Sequence, residues 1–273
     1  MSTKQKMPLW GRRILVTRAA HQARELSVRL RELGAEPIEY PVITITLPDD
    51  LDRLDQALSR AARGEYDWVV FTSVNGVAAV AERMAALGLE RRGFSRARVA
   101  VIGPATAHAV TELLRWSVDV MPPAYVAEAL AAAMGDVRGQ SVLLARADIA
   151  RPALPQALRA AGAQVDEIVA YRTVVERTTA AASQESNILD LLIRQQLDAI
   201  TFTSSSTVRG FIAHLGRTVL SSLSQVVIAC IGPITAETAR AEGLLPTVVA
   251  KEYTIEGLVK ALAQYYQAID NRR

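Results

Sequence analysis

Cysteine is almost missing from this 273-residue chain. The one cysteine, Cys230, excludes an intrachain disulfide, and the three histidines, His21, His108 and His214, are too scattered to give a zinc-ligand spacing. Aromatic residues make up only 5% of the chain, so its cores must be aliphatic, built from the abundant Ala, Leu and Val. No apolar run reaches the roughly 18 residues that a membrane span needs. The start, MSTKQKMPLWGRR, is polar and then basic, with no apolar segment of the signal-peptide kind. We therefore expect a cytoplasmic protein with no membrane partner. An excess of one charge is also lacking. The formal net charge is +3 and basic residues form no block, which speaks against a nucleic-acid partner. A slight positive excess suits an anionic small molecule, although a solvated surface accounts for it as well. No GxGxxG follows a strand, and neither a Walker loop nor a GxSxG elbow occurs. A nucleotide or flavin protein would thus lack its phosphate fingerprint.

What is present is a duplication. GRRILVTRAAHQARELSVRLRELGAEP from Gly11 resembles GQSVLLARADIARPALPQALRAAGAQV from Gly139, a displacement of 128 positions that pairs Arg18 with Arg146 and Gly34 with Gly162. YDWVVFTSVNGV matches LDAITFTSSSTV, with Ser73 opposite Ser204, and VAVIGPATAHAV matches VIACIGPITAET, with Thr106 opposite Thr235. YVAEAL matches YTIEGL, with Tyr125 opposite Tyr253. Four blocks in one order at a nearly constant displacement imply two related α/β lobes, since the period is far too long for a solenoid.

Each half alternates short apolar runs with helical patterns. Strands are expected at Arg13–Thr17, Pro37–Tyr40, Trp68–Phe71, Val99–Ile102 and Val118–Met121, and helices over Leu26–Leu33, Leu51–Arg63, Val74–Leu87, Ala105–Leu114 and Val126–Met134. Nearly all-apolar strands separated by helices point to parallel sheets covered on both faces. Pro41–Asp50 and Tyr171–Asn187 interrupt the pattern, and the second, rich in Thr, Ala, Ser and Glu, reads as an exposed connection leading into a helix at Ile188–Gln196.

Ligands of open parallel sheets bind beyond the carboxyl ends of the strands. There the sequence places Arg18, Arg146, Ser73, Ser204, Thr106 and Thr235, with glycines that let a ligand approach the backbone. Free amide groups at helix starts, hydroxyls and guanidinium groups together make a carboxylate-receptive surface. Taken singly, each Ser or Thr serves equally well as a helix cap, and each arginine as the partner of a nearby carboxylate. His21 reads as a surface residue, His108 and His214 as structural, and Cys230 as a small buried hydrophobe.

FTSVNGV, VIGPATAHAV, AYRT, FTSSSTV and IGPITAETA occur in this order, and with the duplicated halves the chain resembles the uroporphyrinogen-III synthase family over Gly11 to Gln267. The resemblance implies an α/β fold of two flavodoxin-like lobes with parallel sheets, joined by a two-strand linker. Lobe 1 would be discontinuous, residues 1–40 and 175–273; lobe 2 would be residues 45–169; residues 41–44 and 170–174 would be the linkers, and the lobes would hinge over a cleft.

It also implies the substrate, hydroxymethylbilane, an anionic linear tetrapyrrole. Loss of its terminal hydroxyl gives an azafulvene, attack at the substituted carbon of ring D gives a spiro intermediate, and reclosure leaves ring D inverted. The substrate supplies its own electron push, so no cofactor and no metal is implied; the protein's task is to hold the chain for the spiro route. By resemblance, Tyr171 of AYRT assists departure of the hydroxyl. Ser73, Thr106, Ser204 and Thr235 bind substrate, as do Arg18 and Arg146 by the strand-end argument, with Lys251 and Tyr253 after the last strand as further binding candidates. A monomer in transient contact with hydroxymethylbilane synthase is expected. The alternative is a non-catalytic two-lobed ligand-binding or regulatory module.

Overall fold

The computed structural model describes residues 7–90, 94, 96–175 and 179–271. The first six residues of the polar N-terminus, residues 176–178 of the expected second connection and the last two residues lie outside the described residues. In chain order the elements are β1 (Arg13–Val16), α1 (Ala20–Glu32), β2 (Glu36–Glu39), β3 (Thr44–Thr46), α2 (Asp52–Ala62), β4 (Trp68–Phe71), α3 (Val74–Ala86) and β5 (Arg98–Val101). Then come α4 (Pro104–Ala109), α5 (Ala127–Ala133), β6 (Ser141–Ala147), α6 (Ala153–Ala160), β7 (Gln164–Val174) and α7 (Thr179–Ile193). The chain closes with β8 (Ala199–Phe202), α8 (Ser205–Leu215), β9 (Val227–Cys230), α9 (Pro233–Ala241), β10 (Pro246–Val249) and α10 (Ile255–Asp270).

Two compact units result. One comprises Met1–Thr44 and Val174–Arg273, the other Ile45–Thr173. The first holds a sheet ordered β10-β9-β8-β1-β2 and the second a sheet ordered β3-β7-β6-β4-β5. Strands β10-β9-β8-β1-β2 run parallel to one another, as do β7-β6-β4-β5. Read from β2, the first sheet has the 2-1-3-4-5 order of flavodoxin-like folds. Each sheet mixes the start of one repeat with the end of the other, and matching hydrogen bonds make the join. Asp198, ahead of β8, accepts the Arg13 N–H of β1 at 2.8 Å. Asp67, ahead of β4, accepts the Ser141 N–H of β6 at 2.7 Å. The same carboxylate in each repeat thus ties its strand to a strand of the other repeat.

Alternation inside β4 shows why these strands are apolar throughout. Val69 and Phe71 enter one core beside Val77, Val80 and Leu143; Trp68 and Val70 enter another beside Leu130, Leu144 and Leu158. A sheet covered on both faces leaves no side for polar residues. Each such side chain contributes on the order of 1.5–3 kcal/mol by leaving water. In the first unit the core on one sheet face gathers Ile14, Val16, Leu26, Leu30, Leu258 and Leu262. Among the described residues no helix is long and apolar enough to cross a membrane.

The structure departs from the sequence expectations in three places. Val118–Met121 is not a strand: Val120 makes a single parallel bridge to Ala100. Pro122 and Pro123 follow and cannot donate to a ladder, so pairing stops after one step. The helix expected over Ala105–Leu114 changes at Val110 into a π-helical turn that ends on left-handed Arg115 (φ 58°). The connection expected over Tyr171–Asn187 is instead the end of β7 and the start of α7.

Cys230 is fully buried in β9, and burial pushes its thiol up to about 12 from an ordinary 9.0. An unfolded thiol starts to ionise near pH 9, so the neutral buried form contributes stability that is whole below that pH and lost as pH climbs towards 12. Cys230→Ala is expected to flatten the alkaline limb of melting temperature against pH between 9 and 12. An unchanged slope would remove the thiol from the titration.

Candidate active site

In Ile45–Thr173 the chemistry gathers at the carboxyl ends of β4, β6 and β7. Phe71 ends β4 in the core, and Ser73 turns the chain into α3 as its N-cap, its Oγ accepting the Gly76 N–H at 3.1 Å. A Cβ at Gly76 would sit 3.1 Å from the Ala145 carbonyl, so glycine lets the start of α3 close down on β6. The Ser73 hydroxyl lies 3.0 Å from the Tyr171 hydroxyl, and either of the two can donate to the other. Tyr171 is 8% exposed. Burial raises its pKa above the usual 10, while the Ser73 and Asn75 side chains pull the other way. The phenol therefore stays protonated through the neutral range and is a donor, not a base.

Arg146 lies near this pair but faces inward. Its side chain is 4% exposed, with Nη1 3.1 Å from Glu167 Oε1, and Nη2 donates to the Arg151 carbonyl. Burial lowers its pKa, opposed by Glu167 and Tyr171. Alternation along β6 points the side chain to the Leu144 side of the sheet, where its Nε and Nη1 are buried without a hydrogen-bond partner. Thr106, in the first turn of α4, is likewise buried. Gly103 is the N-cap there, and a Cβ on it would make an ordinary contact with the Tyr125 ring at 3.5 Å.

The first unit carries the duplicate turns. Ser204 caps α8 in a closed capping box with Thr207, and Ser205 Oγ lies 2.7 Å from Thr238 Oγ1 of α9. Thr235 is buried in the first turn of α9. A Cβ at Gly232 would meet the Tyr253 ring at 3.2 Å, repeating the Gly103–Tyr125 contact. Tyr253 and Lys251 are exposed after β10. Arg18, after β1, places Nη1 3.1 Å from Glu25 Oε2, while its Nε is buried without a hydrogen-bond partner. Burial lowers its pKa, with Glu25 opposing. His21 and His108 are exposed and His214 is buried in α8.

The structure thus brings Ser73, Tyr171 and Arg146 together in one unit and Ser204 and Thr235 on neighbouring helices in the other. The sequence reading missed Asp148 and Arg172. Asp148 Oδ1 accepts the Thr173 N–H at 3.2 Å, and Arg172 pairs with Asp49. Arg172 stands inside AYRT, but its partner and that of Asp148 lie 123 and 25 positions away, so no local spacing reveals the contacts.

Comparison with known proteins shows the family. The family model described as "Uroporphyrinogen-III synthase HemD" matches residues 24–260. A "Uroporphyrinogen-III synthase" of Synechococcus elongatus is 36% identical over 95% of this chain and 97% of its own length. The "Porphyrin biosynthesis protein HemD" of Ruminiclostridium josui is 33% identical over 95% of this chain, which spans about half (49%) of that protein. A crystal structure of a mutant uroporphyrinogen III synthase from Thermus thermophilus superposes with a TM-score of 0.65 at 19% identity, covering 96% of this chain and all of that one, and so shares the fold. With strand-end turns duplicated in two parallel α/β units and this match across most of its length, the chain belongs to the uroporphyrinogen-III synthase family, the cyclising lyases of tetrapyrrole biosynthesis.

Proposed function

We propose that this chain converts hydroxymethylbilane to uroporphyrinogen III with Tyr171 donating a hydrogen bond to the departing hydroxyl. The observation that carries this reading is the buried Tyr171–Ser73 pair at the carboxyl end of a parallel sheet. A phenol held protonated by burial has a proton to give to a substrate oxygen when the Ser73 hydroxyl turns to donate to it. The pyrrole nitrogen supplies the push and the hydroxyl leaves; ring D then attacks through its substituted carbon. Within Ile45–Thr173 the turns after β4 and β5 offer amide and hydroxyl groups suited to carboxylates; within the other unit the turns after β8 and β9, with Arg18, Lys251 and Tyr253, offer amide, hydroxyl and cationic groups of the same kind. Arg146 supports the site from within instead of touching substrate. Because the bilane closes spontaneously to the type I isomer, direct receipt from hydroxymethylbilane synthase would favour the inverted product.

Freshly made hydroxymethylbilane is incubated with the protein, the products are oxidised, and the porphyrin isomers are separated. Predominantly type III porphyrin is the expected result. Type I alone would reject the reading and favour a non-catalytic binding module.

A further inference from the structure

We propose that Asp148 is a positioning residue for Tyr171, acting through a bulge in β7; this rests on the reading above that the Tyr171 hydroxyl serves the reaction. The β6–β7 ladder is even from Ser141↔Gln164 to Arg146↔Val169, and then Ala147 pairs with Tyr171, skipping Ala170. One extra residue reverses the alternation of everything that follows. Ile168 and Ala170 lie in the core on the α3 side, while Val169 is on the opposite face and 41% exposed. An unbroken ladder would put Tyr171 on the side of Val169. The bulge puts it in the same core as Ala170, where its hydroxyl meets Ser73.

Asp148 holds this irregular stretch at two points. Its main-chain N–H donates to the Tyr171 carbonyl at 3.1 Å. Its carboxylate accepts the Thr173 N–H at 3.2 Å, and its other oxygen is 3.9 Å from Arg172 Nε. The backbone is thereby pinned at Tyr171 itself and again two residues on. The same oxygen also accepts the Ile149 N–H at 3.0 Å, which orients the carboxylate.

In the duplicate copy the β1–β2 ladder runs evenly from Arg13↔Glu36 to Val16↔Glu39, the counterparts of Ser141↔Gln164 and Leu144↔Glu167, and ends before the point at which β7 bulges. At the displacement of 128 that pairs Arg18 with Arg146, Ala20 stands in place of Asp148 and Ile43 in place of Tyr171. Bulge, carboxylate and tyrosine thus occur together in the copy whose strand pairing continues past this point.

The test compares Asp148→Ala and Asp148→Asn, alone and in a Tyr171→Phe background. Turnover for type III product is read together with the NMR signal of Tyr171 in protein labelled with 13Cζ-tyrosine. Asp148→Ala is expected to lower kcat about tenfold with little change in KM, as misplacement of a catalytic group does, and to shift the Tyr171 signal. Asp148→Asn, which keeps an acceptor for Thr173, should restore most of both. In the Tyr171→Phe background the alanine change should add nothing. If alanine costs the fold, Asp148→Ser takes its place, since its hydroxyl is too short to reach Thr173. An unmoved Tyr171 signal, or an equal loss of turnover in the absence of the phenol, would overturn the proposal. Full activity of Tyr171→Phe would instead overturn the catalytic reading, and the NMR signal would still decide whether Asp148 positions the ring.

Discussion

Tyr171→Phe is expected to slow formation of type III product by about thirtyfold, on the order of 2 kcal/mol in the barrier, without abolishing it. The phenol is one donor beside a leaving group that the substrate itself expels, so the effect lies below the full range of general acid catalysis. Phenylalanine keeps the ring in its place between Ala170 and the α3 side of the sheet, and the 8% exposed pocket stays filled. What it removes is the hydrogen bond with Ser73 and the proton aimed at substrate. The change should therefore fall on kcat, with KM nearly constant. Because burial raises the phenol's pKa above 10, the activity that depends on it should hold across neutral pH and decline only as pH rises beyond that value. Steady-state kinetics at several pH values with isomer separation would check both points. Wild-type turnover in the variant would take Tyr171 out of the mechanism.

The second large effect concerns stability. Gly210→Ala is expected to cost about 2 kcal/mol and lower the melting temperature by about 6 °C. Gly210 sits within α8, where glycine is worse than alanine by ~1 kcal/mol, so packing must account for its presence. A Cβ there would lie 2.5 Å from the Val42 carbonyl and 3.0 Å from side-chain atoms of Val42 and Ile43. The nearest atom is backbone, which cannot swing aside as a side chain would, and Val42 and Ile43 are themselves buried. Overpacking of this kind costs about 3 kcal/mol, against which the propensity gain returns ~1 kcal/mol. Thermal and denaturant unfolding would measure the loss. A variant as stable as the parent would mean that α8 can shift without cost. The corresponding position of the other repeat is Ala79, where alanine is accommodated.

Much of the architecture was legible because parallel strands buried on two faces must be apolar, and helices between them must carry a 3.6-residue stripe. Trp68–Phe71 and the helix from Val74 could be placed from pattern alone. Val118–Met121 could not, since its composition suits a strand and only the prolines after it stop the ladder. The Thr179–Ile193 helix was hidden by a Thr, Ala and Ser-rich start that resembles a loop.

At the site, the strand ends and Tyr171 could be named from the sequence, but not their status as exposed or enclosed. Arg18 and Arg146 occupy equivalent places in the repeat, yet Arg146 lies against Glu167 and Arg151 while Arg18 pairs with Glu25 of α1, 7 positions on. By itself the sequence determined the duplication, the alternation of strands and helices, and which residue types stand at each strand end, because these follow from local periodicity and self-similarity. The resemblance implied a discontinuous lobe, but only the tertiary structure decided the strand order in which the sheets mix the two repeats and the skipped residue in β7 that turns Tyr171 towards Ser73. Those outcomes depend on pairing and register between separate strands, and a one-residue slip in register leaves no mark on composition or period.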